Sequence, residues 1–153
     1  MKKIAYFIIA ALSTMLATAC DIETSDNGDF DGFWHLERVD TLANGGTRDL
    51  KNNRVFWGVQ AKLISVRDID IDVNHGYYLR FRQTPDSIIT HSPYKDNWHQ
   101  DKGENGGDLP IADPALLAPY GINNIEEGFA KEKLKGGSMI LRSKTLRLHF
   151  RKF

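Results

Sequence analysis

Residues 32–41 read GFWHLERVDT, and the fold follows from their order. Trp34 and Leu36 fall on one side of an extended chain, while His35, Glu37 and Thr41 fall on the other. That is the period of two expected of a strand with one buried face. The segment ANGGTRDL, 43–50, then supplies turn residues. Outward from this strand the same period recurs. RVFWGVQAKLISVRD, 54–68, is rich in β-branched and aromatic residues, and Gly58 in its middle predicts a bulge or sharp bend in a long strand, as at a barrel corner. GYYLRFRQ, 76–83, places Tyr77, Leu79 and Phe81 on one face, and TPD turns the chain into SIITHS, a hairpin. EGFAKEKLKGGSMILRSKTLRLHFRKF, 127–153, reads as three strands broken at Gly136-Gly137 and Ser143-Lys144. In the last of them Leu146, Leu148 and Phe150 alternate with Arg147, His149 and Arg151.

Helix is scarce. DPALLAPYGI, 113–122, predicts one short helix before the last strands, with Asp113 as cap and Pro114 at its first position. Ahead of it, KDNWHQDKGENGGDL, 95–109, is a long polar loop of the kind that tends to be functional or mobile. About seven or eight short strands in one domain close as a barrel or stack as a sandwich, and periodicity does not choose between them. At 153 residues, 41% apolar and 26% charged, the chain has the composition of one ordinary globular domain. With Lys plus Arg and Asp plus Glu both at 20, it lacks the basic excess that nucleic acid requires.

Upstream, MKKIAYFIIAALSTMLATAC joins two lysines to an apolar run and then to small residues ending at Cys20. This is the layout of an export signal, and the run is shorter than the roughly 20 apolar residues that cross a bilayer. Residues 1–19 are therefore expected to be a cleaved signal peptide. Cys20 is the single cysteine, so no internal disulfide can form. Residues 20–31 carry Asp21, Glu23, Asp26, Asp29 and Asp31 with no base, which predicts an extended, solvated tether reaching up to roughly 40 Å. Residues 32–153 form the folded domain.

LATAC, 16–20, resembles the lipobox of bacterial lipoproteins, with Ala17 where leucine is usual. The resemblance implies cleavage before Cys20 and lipidation of its sulfur, with the mature chain held at the cell envelope. An outer-membrane location follows, on the periplasmic face or the cell surface. The acidic residues after Cys20 read as a plain linker or, by resemblance, as a surface-export signal of Bacteroidota lipoproteins, whereas Asp21 in enterobacterial sorting points to the inner membrane.

Gly32-Phe33-Trp34 at the head of the first strand resembles the Gly-x-Trp of the lipocalins and wider calycins. With the lipobox and the ending LRLHFRKF, the chain is similar to the lipocalin-like lipoproteins of Bacteroidota. That implies an all-β fold, a small antiparallel up-and-down β-barrel. It also implies that Trp34 plugs the closed end, with an arginine lying across it, either Arg147 or Arg151.

Chemistry is sparse. The histidines at 35, 75, 91, 99 and 149 show no ligand-pair spacing. DIDIDVN, 68–74, offers Asp68, Asp70 and Asp72 at calcium-loop offsets, but Val73 stands where the turn glycine belongs and Leu79 where the bidentate glutamate does. No nucleophile elbow or phosphate loop occurs. Neither metal, cofactor nor catalytic residue is expected. The aromatic residues Trp57, Tyr77, Phe81 and Trp98 are the candidate ligand contacts, the first three inside the barrel and Trp98 at its rim. Two functions stand open: a carrier of a small apolar or amphipathic ligand, and an envelope interaction protein whose filled barrel presents loops to a protein or glycan.

Overall fold

The computed structural model describes residues 25–72, 76–97 and 107–153. Ten strands run in the order β1 (Gly32–Thr41), β2 (Thr47–Asp49), β3 (Val55–Gln60), β4 (Leu63–Asp68), β5 (Tyr77–Gln83), β6 (Ser87–Lys95), β7 (Leu109–Pro110), β8 (Glu127–Lys135), β9 (Ser138–Arg142) and β10 (Leu146–Lys152). Eight of them close a ring. Each barrel strand pairs antiparallel with its neighbour in chain order, from β1 through β3, β4, β5, β6, β8 and β9 to β10, and β10 returns to β1. This is the expected up-and-down barrel. The short strands stand outside the ring, β2 against β1 and β7 against β6.

The inward rows follow the alternation in the sequence. Trp34, Leu36 and Val39 of β1, Val55, Trp57 and Val59 of β3, Ile64 and Val66 of β4, and Leu79 and Phe81 of β5 are buried in one core. Ile88 of β6, Phe129 of β8, Met139 and Leu141 of β9, and Leu148 and Phe150 of β10 complete it. Shifts of register occur in β1 between Leu36 and Arg38, in β5 between Tyr78 and Arg80, and in β8 between Lys131 and Lys133. Such bulges add local twist, which a small closed barrel needs.

Residues 54–68 depart from expectation. They form a hairpin rather than one bent strand, turning at Ala61-Lys62 with Ala61 at φ 51°. Gly58 sits in an unbroken ladder, opposite Phe33 on one side and Ser65 on the other. Its missing side chain leaves room for the Phe33 ring, 3.3 Å from where a Cβ would stand.

Residues 25–31 also differ. They are docked on the barrel rather than extended away from it, with Asp26, Gly28 and Asp29 still exposed. The Asn27 side chain donates to the Ala61 carbonyl at 2.6 Å, the Ala61 amide donates to Ser25 Oγ at 2.8 Å, and Lys62 pairs with Asp26 at 2.7 Å. A turn of 3-10 helix, Gly28–Phe30, then drops Phe30 into the core, where its ring meets Phe81 edge-on at 5.3 Å. An apolar side chain inside the acidic run supplied the burial that charge repulsion alone would have opposed.

Candidate functional site

A barrel offers an interior and two ends. At the closed end, Trp34 is buried and its Nε1 donates to the Phe30 carbonyl at 2.9 Å. A cation does lie on the indole, but it is Lys152, 5.1 Å from the ring centroid. Arg147 and Arg151, expected there, face outward and bind Glu132 and Glu37. Strand period explains the correction: Lys152 continues the inward row of Leu146, Leu148 and Phe150, while the arginines occupy the opposite row. Lys152 pairs directly across from Trp34, and its stem crosses Gly32. Gly32 has φ 129°, and a Cβ there would stand 2.5 Å from Lys152 Cε. The backbone conformation demands glycine in the Gly-x-Trp stretch, and its missing side chain lets the lysine stem cross directly over it.

The interior is occupied. Trp57, expected to line a ligand cavity, is fully buried, meets Phe150 at 5.1 Å and Phe129 at 5.8 Å, and donates from Nε1 to the Tyr120 carbonyl at 3.0 Å. Phe81 packs on Phe30, and Tyr77 packs against the core and on the Tyr120 ring at 5.7 Å. Among the described residues these three are core and cap contacts. Trp98, like Cys20, lies outside the described residues.

The mouth is closed by a 3-10 helix, Pro114–Tyr120. The Asp113 side chain accepts the Ala115 amide at 2.9 Å, as its capping position predicted. Leu117, Tyr120 and Ile122 are buried in the core. Gly121 ends the helix at φ 84°, where a Cβ would collide with Leu148 at 2.6 Å, so the chain turns down onto β10 only with glycine at this position. Glu127, also buried, accepts the Asn124 amide at 3.2 Å and the Asn123 amide. Arg48 reaches from β2 to the Pro119 carbonyl at 3.0 Å.

A side-chain contact ties this plug to the β4–β5 loop: the Tyr120 hydroxyl donates to Asp72. Burial, then that bond and the Asp72 charge, hold the phenol far above its ordinary range. Burial and the same carboxylate also push Tyr77 up. The loop itself is folded by its aspartates. Asp68 accepts the Asp70 amide and Asp72 accepts the Asp68 amide, both at 3.0 Å, and Arg54 donates to Asp70 at 2.8 Å. Hydrogen bonding by Arg54 keeps the Asp70 carboxyl below the usual range. These acids satisfy backbone amides and a guanidinium, and among the described residues no group of three or more His, Cys, Asp or Glu is arranged to hold a metal ion. Around the mouth Ile71, Leu109 and Leu116 stay exposed. Sequence reading passed over them because Ile71 and Leu109 have no periodic partner and the helix holding Leu116 is too short to show which of its two leucines faces outward.

The chain matches the lipocalin-like domain family over residues 14–153. It is also similar to the crystal structure of a lipocalin-like protein from Bacteroides uniformis, with 20% identity, a TM-score of 0.57, and coverage of 82% of this chain and 100% of that one. A second crystal structure, of an uncharacterized protein from Bacteroides eggerthii, gives 18% identity and a TM-score of 0.57, covering 80% of this chain and 98% of that one. No protein of curated function matches. The closed eight-stranded ring, the tryptophan plug and the family match agree, and the chain belongs to the lipocalin-like domain family.

Proposed function

We propose that this is a non-catalytic, lipid-anchored protein of the cell envelope that binds its target at the capped mouth of a filled barrel. The observation that carries the reading is the occupied interior: Trp57, Phe129 and Phe150 meet in the middle, and Leu117, Tyr120 and Ile122 cover them. An internal ligand would have to displace these groups. The rim instead offers Ile71, Leu109 and Leu116 in exposed positions, apolar contacts set among polar loop residues. The signal-like segment and the lipobox-like LATAC support a lipid on Cys20 and an outer-membrane location. The target is an envelope protein or glycan.

Ile71→Asp and Leu116→Asp should reduce capture of a cross-linked partner from native envelopes while leaving the melting temperature unchanged, since both side chains are exposed. Undiminished capture by the double variant would overturn the mouth as the binding surface. A second reading, a small apolar ligand inside the barrel, draws on the construction of the plug: a short segment bracketed by Pro114 and Gly121 and tied to the β4–β5 loop by Tyr120. On that reading fluorescent fatty acids should bind saturably, and Tyr120→Phe should speed their entry.

A further inference from the structure

We propose that the outer face of β1, β3 and β4 at the closed end is the surface that lies against the membrane lipid. This rests on the lipid-anchor reading of Cys20 and adds which way the barrel sits. Phe33 is 39% exposed and Leu63 40% exposed, and both line one groove of about 880 Å³ on the outside of the barrel. Phe153, 80% exposed, stands edge-on to Phe33 at 6.2 Å and to Phe56 at 5.5 Å, while Phe33 and Phe56 stack at 4.6 Å. The strip packs on itself and on Phe56, and leaves Phe33, Leu63 and Phe153 open to solvent.

The way the chain leaves the fold identifies the occupant. Ser25 also lines the groove, and it is fixed there by the Ala61 amide, with Asn27 and Asp26 held at the same turn. From Ser25 to Cys20 is five residues, a span of at most about 18 Å when fully extended. A lipid on Cys20 therefore keeps this end of the barrel within reach of the bilayer surface, and the side chains around the groove decide whether this face is held against it. Apolar side chains beside such an attachment point gain burial in the headgroup boundary and add a second membrane contact to the anchor. The opposite end, with Ile71 and Leu116, then faces away from the lipid.

The test uses the full chain, expressed with its own signal, purified, and placed in nanodiscs of phosphatidylethanolamine and phosphatidylglycerol doped with a nitroxide-headgroup lipid. Amide resonances of Ala61 to Leu63 should broaden several-fold more than those of Ser143 to Thr145 at the other end. Leu63→Ser combined with Phe153→Ser should erase that contrast while the chain stays anchored and its melting temperature holds. Equal broadening at both ends, a reversed order, or a contrast that survives the double variant would overturn the proposal. The mass of Cys20 is read separately. If the thiol is free, the anchor reading has failed, and coupling that thiol to a maleimide phospholipid lets the same contrast decide the face on its own terms.

Discussion

The two ends of the barrel are closed in different ways. The closed end is assembled from residues a few positions apart, or directly paired across two strands: Phe30 under Trp34, Lys152 over it, Gly32 beneath the lysine stem. The mouth is assembled from long connections that meet only in the folded chain, with Tyr120 on Asp72, Arg48 on Pro119 and Trp57 on the Tyr120 carbonyl. Phe30 reaches Trp34 with almost no loop to close and Lys152 rides on the β1–β10 ladder that the barrel itself forms, whereas the mouth must order long loops for a few contacts. The closed end should be the stable half and the mouth the half that opens.

Trp34→Ala should be the severest single change, costing about 3 to 5 kcal/mol through lost burial and the cavity left behind. A melting temperature within a degree or two of the parent would remove Trp34 from its place as plug. A chain beginning at Gly32 should lose stability on a similar scale, since it discards Phe30 and the Ser25–Asn27 clasp, whereas one beginning at Ser25 should melt like the parent. At the mouth, Tyr120→Phe should cost about 1.5 to 3 kcal/mol, as expected for a hydrogen bond to a carboxylate. Because the folded phenol titrates above its unfolded value near 10, its contribution is complete below about pH 10 and is lost as the pH rises further. The parent should thus lose more stability in alkali than Tyr120→Phe, and parallel curves would refute the latch. Lys152→Ala should cost about 1 kcal/mol through the cation–π contact. Arg147→Ala should cost least, below about 1 kcal/mol, since its bidentate pair with Glu132 lies at the surface and Arg142 stays on the same carboxylate.

Much of this was legible because strands write their two faces in alternation. GFWHLERVDT gave the first inward row, and LRLHFRKF already separated Leu148 and Phe150 from Arg147 and Arg151. Carried one residue further, that alternation places Lys152 on the tryptophan row; the resemblance to the lipocalins pointed instead to arginine. The Ala61-Lys62 turn was illegible because neither residue is a usual turn former and Gly58 nearby drew the bend to itself. The clasp was hidden for another reason. Asp26 reads as a solvated acid until Lys62, far along the chain, is brought beside it by β3 and β4. The filling of the barrel was likewise beyond reach, since Trp57 and Tyr77 read the same whether they line a cavity or fill one.

The clasp at Ser25–Asn27 also has a mechanical meaning. A pull on the N-terminal segment reaches Ala61 and Lys62 first, through the two Ala61 hydrogen bonds and the Asp26 ion pair. Behind them comes β1, whose Gly32–His35 pair with β3 on one side while Trp34–Thr41 pair with β10 on the other. Force drawn along that strand loads both ladders in shear, many bonds at once, instead of peeling them singly. The β3–β4 turn thus stands as the first link in line, two hydrogen bonds and an exposed ion pair ahead of the barrel's ladders.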